Sequence, residues 1–285
     1  VLIMVCSYHG EYGIFVEEGG VLVLRDTIVD SYIGFSYYFE VYGHITLLNS
    51  IVERAYALYI KGCEGLRFRG SKVRYNYHYG LVLVSCSNVT IDGCGVGGNT
   101  WGGLYCYYSR HVEVLGSSMS RNKYGSGACF FDCQEVRLSD CTLKRNGYAG
   151  IRLDYVSHAE VSGCLVEKCG DGIECLGSAH VAISSCSLNK NGEGALILSS
   201  FNVTVRACSM VRNRWEALYC SGSSEVTIAN CTVAYNKGKG VYIYGSRHIE
   251  VVGCRVESNS WGLVLDASTH AVVRDCEFLY DGVTI

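Results

Sequence analysis

Four acidic residues recur at nearly fixed intervals. Asp171, Glu193 and Glu216 stand 22 and 23 residues apart, and Glu174 lies three residues past Asp171. Carboxylates brought side by side by such spacing would ligate calcium through oxygen or act as acid and base on a sugar. A basic series, Arg121, Arg145, Lys168, Lys190 and Arg212, recurs every 22–24 residues just upstream. Opposite charges at neighbouring turns favour a solvated salt ladder, worth little per pair. The cations alone would grip an anionic glycan by spaced charges. Tyr59, Tyr105, Tyr219 and Tyr242 fall at one repeat position. They would stack on sugar rings, or simply suit a strand surface. His158/His180 and His248/His270 each stand one repeat apart. Such pairs could hold a metal, but asparagines fill the same position elsewhere, which favours a turn role. The sequons at Asn88, Asn202 and Asn230 are short matches. There is no nucleophile arrangement, P-loop or dinucleotide fingerprint, and the glycines of Gly93–Gly98 precede no helix.

The spacing itself dictates the elements. A motif of glycine or alanine, apolar, any, apolar recurs at Ala57, Gly80, Gly103, Gly127, Gly150, Gly172, Gly194, Ala217, Gly240 and Gly262, in steps of 22–24 residues. Inside each unit the hydrophobic period is two, so the units are strands with one buried face. Each unit holds three short strands and three turns. Repeats of this length predict a solenoid. Two apolar columns would form its core: Leu58, Leu81, Leu104 and their successors to Leu263, and Phe68, Ile91, Val114 and their successors to Val273.

The chain has 285 residues, no proline, 17 cysteines, 18% charged residues and a net charge of −3. Its 49% hydrophobic content excludes disorder. The lack of a basic excess argues against nucleic-acid binding, and no apolar run reaches membrane-spanning length. Absent proline fits a backbone engaged in hydrogen-bond ladders. Nine cysteines (Cys6, Cys94, Cys141, Cys164, Cys186, Cys208, Cys231, Cys254 and Cys276) fall in one inward column, as small buried hydrophobes. They lack zinc spacing, and no cofactor is expected. Cys63 and Cys86 share a turn position and are the best disulfide candidates. Five residues past the cysteine column runs an asparagine column, from Asn76 to Asn259, suited to left-handed turns and axial amide bonds.

The units "SNVTIDGCGVGGN", "SSEVTIANCTVAYN" and "SRHIEVVGCRVESN" resemble repeats of the pectate-lyase-like superfamily, within it the NosD-type non-catalytic surface repeat proteins. The resemblance covers nearly the whole chain. It implies an all-β, right-handed parallel β-helix of about 12 coils of 22–24 residues, and it is the source of the handedness. Hydrolases of this superfamily carry NTD, DD, GHG and RIK segments, which are absent here. For the calcium-dependent lyases the nearest counterparts are Asp171, Glu193 and Glu216. The expectation is therefore a non-catalytic extracellular or cell-surface structural protein. The alternative is a carbohydrate-binding or polysaccharide-cleaving β-helix.

Residues 1–285 read as a single domain with neither end capped. Val1 and Ile3 fit a second strand, while Val283 and Ile285 fit a new first strand. Two copies placed end to end would nearly complete one coil. This gives two expectations: head-to-tail assembly with itself into a filament, or a segment of a longer chain. Val1 follows no charged leader, so export is inferred from the fold.

Overall fold

Alternating apolar residues stack because each strand pairs with its counterpart one coil later. In the computed structural model, which describes residues 12–16, 18, 20–30, 38–281 and 283–284, all ladders are parallel and no helix is present among the described residues. The first sheet has 13 strands, from Tyr12–Val16 to Val283–Thr284. The second has 12, from Val21–Arg25 to Thr269–Arg274. The third side is split into a four-stranded sheet ending at Gly95–Gly97 and a seven-stranded sheet beginning at Thr142–Lys144. Between them, Ser118 makes only single bridges, to Gly95 and Thr142. The chain thus winds as the expected right-handed solenoid, with three strands per coil wherever the third sheet is intact.

Register confirms both core columns. Leu104 pairs with Ala128, Ile151 with Ile173 and Ala195 with Leu218, all fully buried. Cys141 to Cys254 are buried in their corner, each thiol donating to the carbonyl two residues back, as Cys164 does to Ser162. Cys6 lies outside the described residues. The 16 described cysteines are free thiols, the candidate pair Cys63 and Cys86 included. The buried asparagines are joined along the axis. The backbone N–H of Asn213 donates to Asn236 Oδ1 at 2.8 Å and that of Asn191 to Asn213 Oδ1 at 2.9 Å. These bonds satisfy turn amides that water cannot reach.

Corners are turned through residues in the left-handed region, which costs a non-glycine residue about 1 kcal/mol or more. His111, His158, His180, His248 and His270 all have φ between 52° and 59°. Their column is a backbone device, as the asparagines among them suggested. The basic series occupies another left-handed column, with φ from 57° at Arg145 to 63° at Arg121. Of the residues expected at the ends, Val283 lies in a strand paired with Leu263. Val1, Ile3 and Ile285 lie outside the described residues.

Candidate functional site

The outward slot of the first strand is the "any" position of the repeat. One row across the coils reads Tyr59, Val82, Tyr105, Cys129, Arg152, Glu174, Leu196, Tyr219 and Tyr242. The tyrosines do share one face, as their spacing predicted. At the middle of the row stand the opposite charges Arg152 and Glu174. Two positions along from Arg152, Asp154 stands in its row between Phe131 and Leu176, with Tyr107 and Leu198 one coil further on either side. Asp171 and Glu193 sit on the turns that lead into the same sheet.

These groups form one half-enclosed cluster. Arg152 Nε donates to Asp154 Oδ2 at 2.7 Å and lies 3.7 Å from Glu174 Oε2. The Tyr148 ring packs under the guanidinium, 5.2 Å from its carbon. Asp154 and Glu174 are each only 5% exposed. One oxygen of each, Asp154 Oδ1 and Glu174 Oε1, is buried without a hydrogen-bond donor. An ionised carboxylate in that state is costly. The Glu193 backbone N–H donates to Asp171 Oδ1 at 2.9 Å, which brings the two turns together.

Burial is the largest influence on Glu174, followed by the facing Asp171 carboxyl, and Arg152 only partly offsets them; the carboxyl is pushed up to about 8. Glu193 is likewise pushed up to about 8, first by burial and then by the same Asp171 carboxyl. Burial also raises Asp154 above its ordinary range. A proton on Glu174 or Glu193 turns a repulsive carboxylate contact with Asp171 into a hydrogen bond. The cluster can therefore hold protonated carboxyls at neutral pH beside ionised Arg152, the pairing that acid–base chemistry needs.

The expected salt ladder is not formed. Among the described residues, none of Arg121, Arg145, Lys168, Lys190 and Arg212 pairs with Asp171, Glu174, Glu193 or Glu216. Lys190 pairs with Glu167 at 3.0 Å, and Glu216 with Lys239 at 3.6 Å. The cations leave their strands on the third side, pointing away from the first sheet. Glu216 thus belongs to a surface pair beside the cluster rather than to it. Among the described residues, no three histidine, cysteine or acidic side chains converge as metal ligands. Arg152, Asp154 and Tyr148 were not singled out by spacing. For Arg152 and Asp154 the signal lay in the motif "GIRLD", followed one coil later by "GIECL", which places Arg152 and Glu174 side by side between Cys129 and Leu196 in their row.

The flanks of the cluster are aromatic. Tyr79 and Tyr105 have ring centroids 4.3 Å apart, and Trp101 continues the edge through His78 at 5.5 Å. Beyond the cluster, Tyr219 and Tyr242 stack at 5.2 Å, with Lys239 Nζ 3.8 Å over the Tyr242 ring. Flat rings on either side of an acid–base group can support a chain of sugars across several coils.

Known proteins agree with this architecture. The family described as "Right handed beta helix region" matches residues 4–128, 56–208 and 149–283. No curated protein is similar in sequence. Several solved structures share the fold. ORF18 of Geobacillus virus E2 is 12% identical at a TM-score of 0.57, over 84% of this chain and 50% of that one. The A-module of mannuronan C-5 epimerase AlgE4 from Azotobacter vinelandii is 10% identical at a TM-score of 0.51, over 93% of this chain and 87% of that one. PfbA, a surface adhesin of Streptococcus pneumoniae, is 9% identical at a TM-score of 0.51, over 90% and 80%. This chain spans only 64% of the periplasmic alginate epimerase AlgG and 39% of the tailspike protein 2 of an Escherichia coli bacteriophage. The expectation of a non-catalytic protein is corrected here: it rested on the resemblance to NosD-type repeats and on the missing hydrolase segments, and the same fold belongs to a mannuronan C-5 epimerase.

Proposed function

Because the chain belongs to the right-handed β-helix family, matched over nearly its whole length, we propose that it binds and chemically modifies a polysaccharide laid across the coils of its first sheet. The observation that carries this is Glu174: 5% exposed, one oxygen without a donor, and its carboxyl raised to about 8 beside Arg152. A carboxyl of that kind gives or accepts a proton at working pH. Arg152 holds positive charge next to it and would orient an acidic sugar. The rings of Tyr105 and Tyr219 lie in the same row on either side and would seat neighbouring sugars.

The likeness to the A-module of mannuronan C-5 epimerase makes mannuronan and other polyuronates the first substrates to try. An extracellular or cell-surface setting follows from the same reading, supported by the likeness to a surface adhesin. No helix among the described residues is long and apolar enough to cross a membrane. The test is a panel of acidic and neutral polysaccharides, followed by NMR of the anomeric protons, which detects cleavage, elimination and epimerisation alike. Change in at least one polymer, lost in Glu174→Gln, is the expected result. An unchanged panel, or equal change by the variant, contradicts the proposal.

A further inference from the structure

A second charged surface lies on the opposite side of the solenoid, where the third sheet is broken. A trough of about 750 Å³ runs over the break. Six cations line it, Lys72, Arg74, Arg121, Lys144, Arg145 and Lys168, against the single carboxylate of Glu167. The whole chain carries a net charge of −3, so this concentration of positive charge is local. Two features sink the floor. Gly95 and Gly97 present no side chains, and a Cβ on Gly97 would lie 2.3 Å from the Ser120 carbonyl oxygen. The coil around Ser118 forms no regular third strand, and Ser118 makes only single bridges to Gly95 and Thr142.

The backbone does not ask for these cations. Arg121, Arg145 and Lys168 stand in a left-handed column that Tyr75, Gly98, Tyr235 and Ser258 fill in other coils. Long side chains gain nothing from that conformation. Coils are stacked about 4.8 Å apart, so like charges crowd along the column, which is unfavourable across neighbouring strands. Only part of the charge is answered within the protein: Arg74 pairs with Glu53 at 2.7 Å, and Lys144 lies 3.4 Å from Glu167. Among the described residues, no ion pair involves Lys72, Arg121, Arg145 or Lys168. An unneutralised ladder of exposed cationic side chains over a polar floor is the complement of a linear polyanion.

We infer that this trough binds an anionic polysaccharide, one that carries a carboxylate or sulfate on each successive sugar. One cation per coil matches one charge per sugar along an extended chain. Duplex nucleic acid, whose phosphates rise about 3.4 Å per strand along the helix axis while winding around it, does not present a straight row of charges to this column. The inference is independent of the first-sheet site.

The test is titration of the intact chain with polygalacturonate, dextran sulfate, neutral dextran and duplex DNA. Binding of one or both charged glycans, weakening about tenfold or more between low and moderate salt, is expected; the two separate carboxylate from sulfate. The combined variant Arg121→Ser, Arg145→Ser, Lys168→Ser adopts the residue that Ser258 already places in this column. It should lose about tenfold or more in affinity with an unchanged circular dichroism spectrum. If it melts early, Lys72→Gln gives a second reading, with a smaller loss expected. The triple variant should keep whatever turnover the first-sheet site supports, which keeps failure of one site distinct from failure of the other. Wild-type affinity in both cation variants, equal binding of neutral dextran, or tighter binding of DNA than of either glycan would overturn the inference.

Discussion

The outer faces of the first and second sheets are built from the same repeat, yet they treat charge in opposite ways. On the second sheet Arg137 reaches Glu160 at 3.1 Å and Glu113 at 3.6 Å, and Arg274 reaches Glu250 at 2.6 Å. These side chains are 39–55% exposed, and Arg137 and Arg274 each face at least one carboxylate on a neighbouring coil. On the first sheet Asp154 and Glu174 share one arginine, their side chains are 7% exposed, and each keeps a buried oxygen without a donor. Column spacing alone therefore does not separate a solvated ladder from a reactive cluster. The separation comes from burial and from the turns that bring Asp171 and Glu193 to the edge of the sheet.

The largest expected effect tests that contrast on activity. Glu174→Gln should reduce turnover of a polysaccharide substrate about 100- to 10,000-fold, the range for removal of a general acid or base. Glu160→Gln, its counterpart on the second sheet, should leave turnover unchanged; initial rates on one polymer compare the two. Equal losses would erase the distinction between the faces.

Stability against pH provides the next test. Glu174 and Glu193 keep their protons to about pH 8 when folded, against 4.5 as their ordinary value. Between those values the folded chain binds more protons than the unfolded one, so stability is lost as pH rises through the window. Melting temperature should fall from pH 5 to pH 8.5, and Glu174→Gln should flatten the fall. A melting temperature that rises over this range would show that the carboxyls are ionised.

The interior, common to both faces, gives a control. Asn191→Ala removes the oxygen that accepts the Cys169 backbone N–H at 3.0 Å. Denaturant unfolding should show a loss of about 1–3 kcal/mol, the cost of a buried unpaired donor. The smallest effect belongs to the second sheet. Arg137→Ala should cost less than about 1 kcal/mol in the same measurement.

These contrasts also mark what could be read from the sequence. The coil, its three strands and both core columns follow from period-two alternation repeated every 22–24 residues, because the interior admits only one register. The cysteine and asparagine ladders were legible for the same reason. The acidic residues Asp171, Glu174 and Glu193 were visible as a series, but their state was not. Which cation answers which carboxylate depends on side-chain direction, and Lys190 turns to Glu167 on the third side rather than to Glu193. Arg152 escaped notice because it stands alone in its row as an arginine, and Asp154 because the next aspartate of its row, Asp266, lies several coils away; a column search finds what recurs in succession. The left-handed backbone under the basic series also escaped notice, since lysine and arginine are not the residues that advertise it.

The central claim is that Glu174 in the first-sheet cluster keeps its proton at neutral pH. The direct measurement is a ¹³C NMR titration of carboxyl carbons in glutamate-labelled protein, with Glu174 assigned by its absence from Glu174→Gln. The account predicts a midpoint of about 8 for Glu174. A midpoint near the ordinary glutamate value of 4.5 would contradict it.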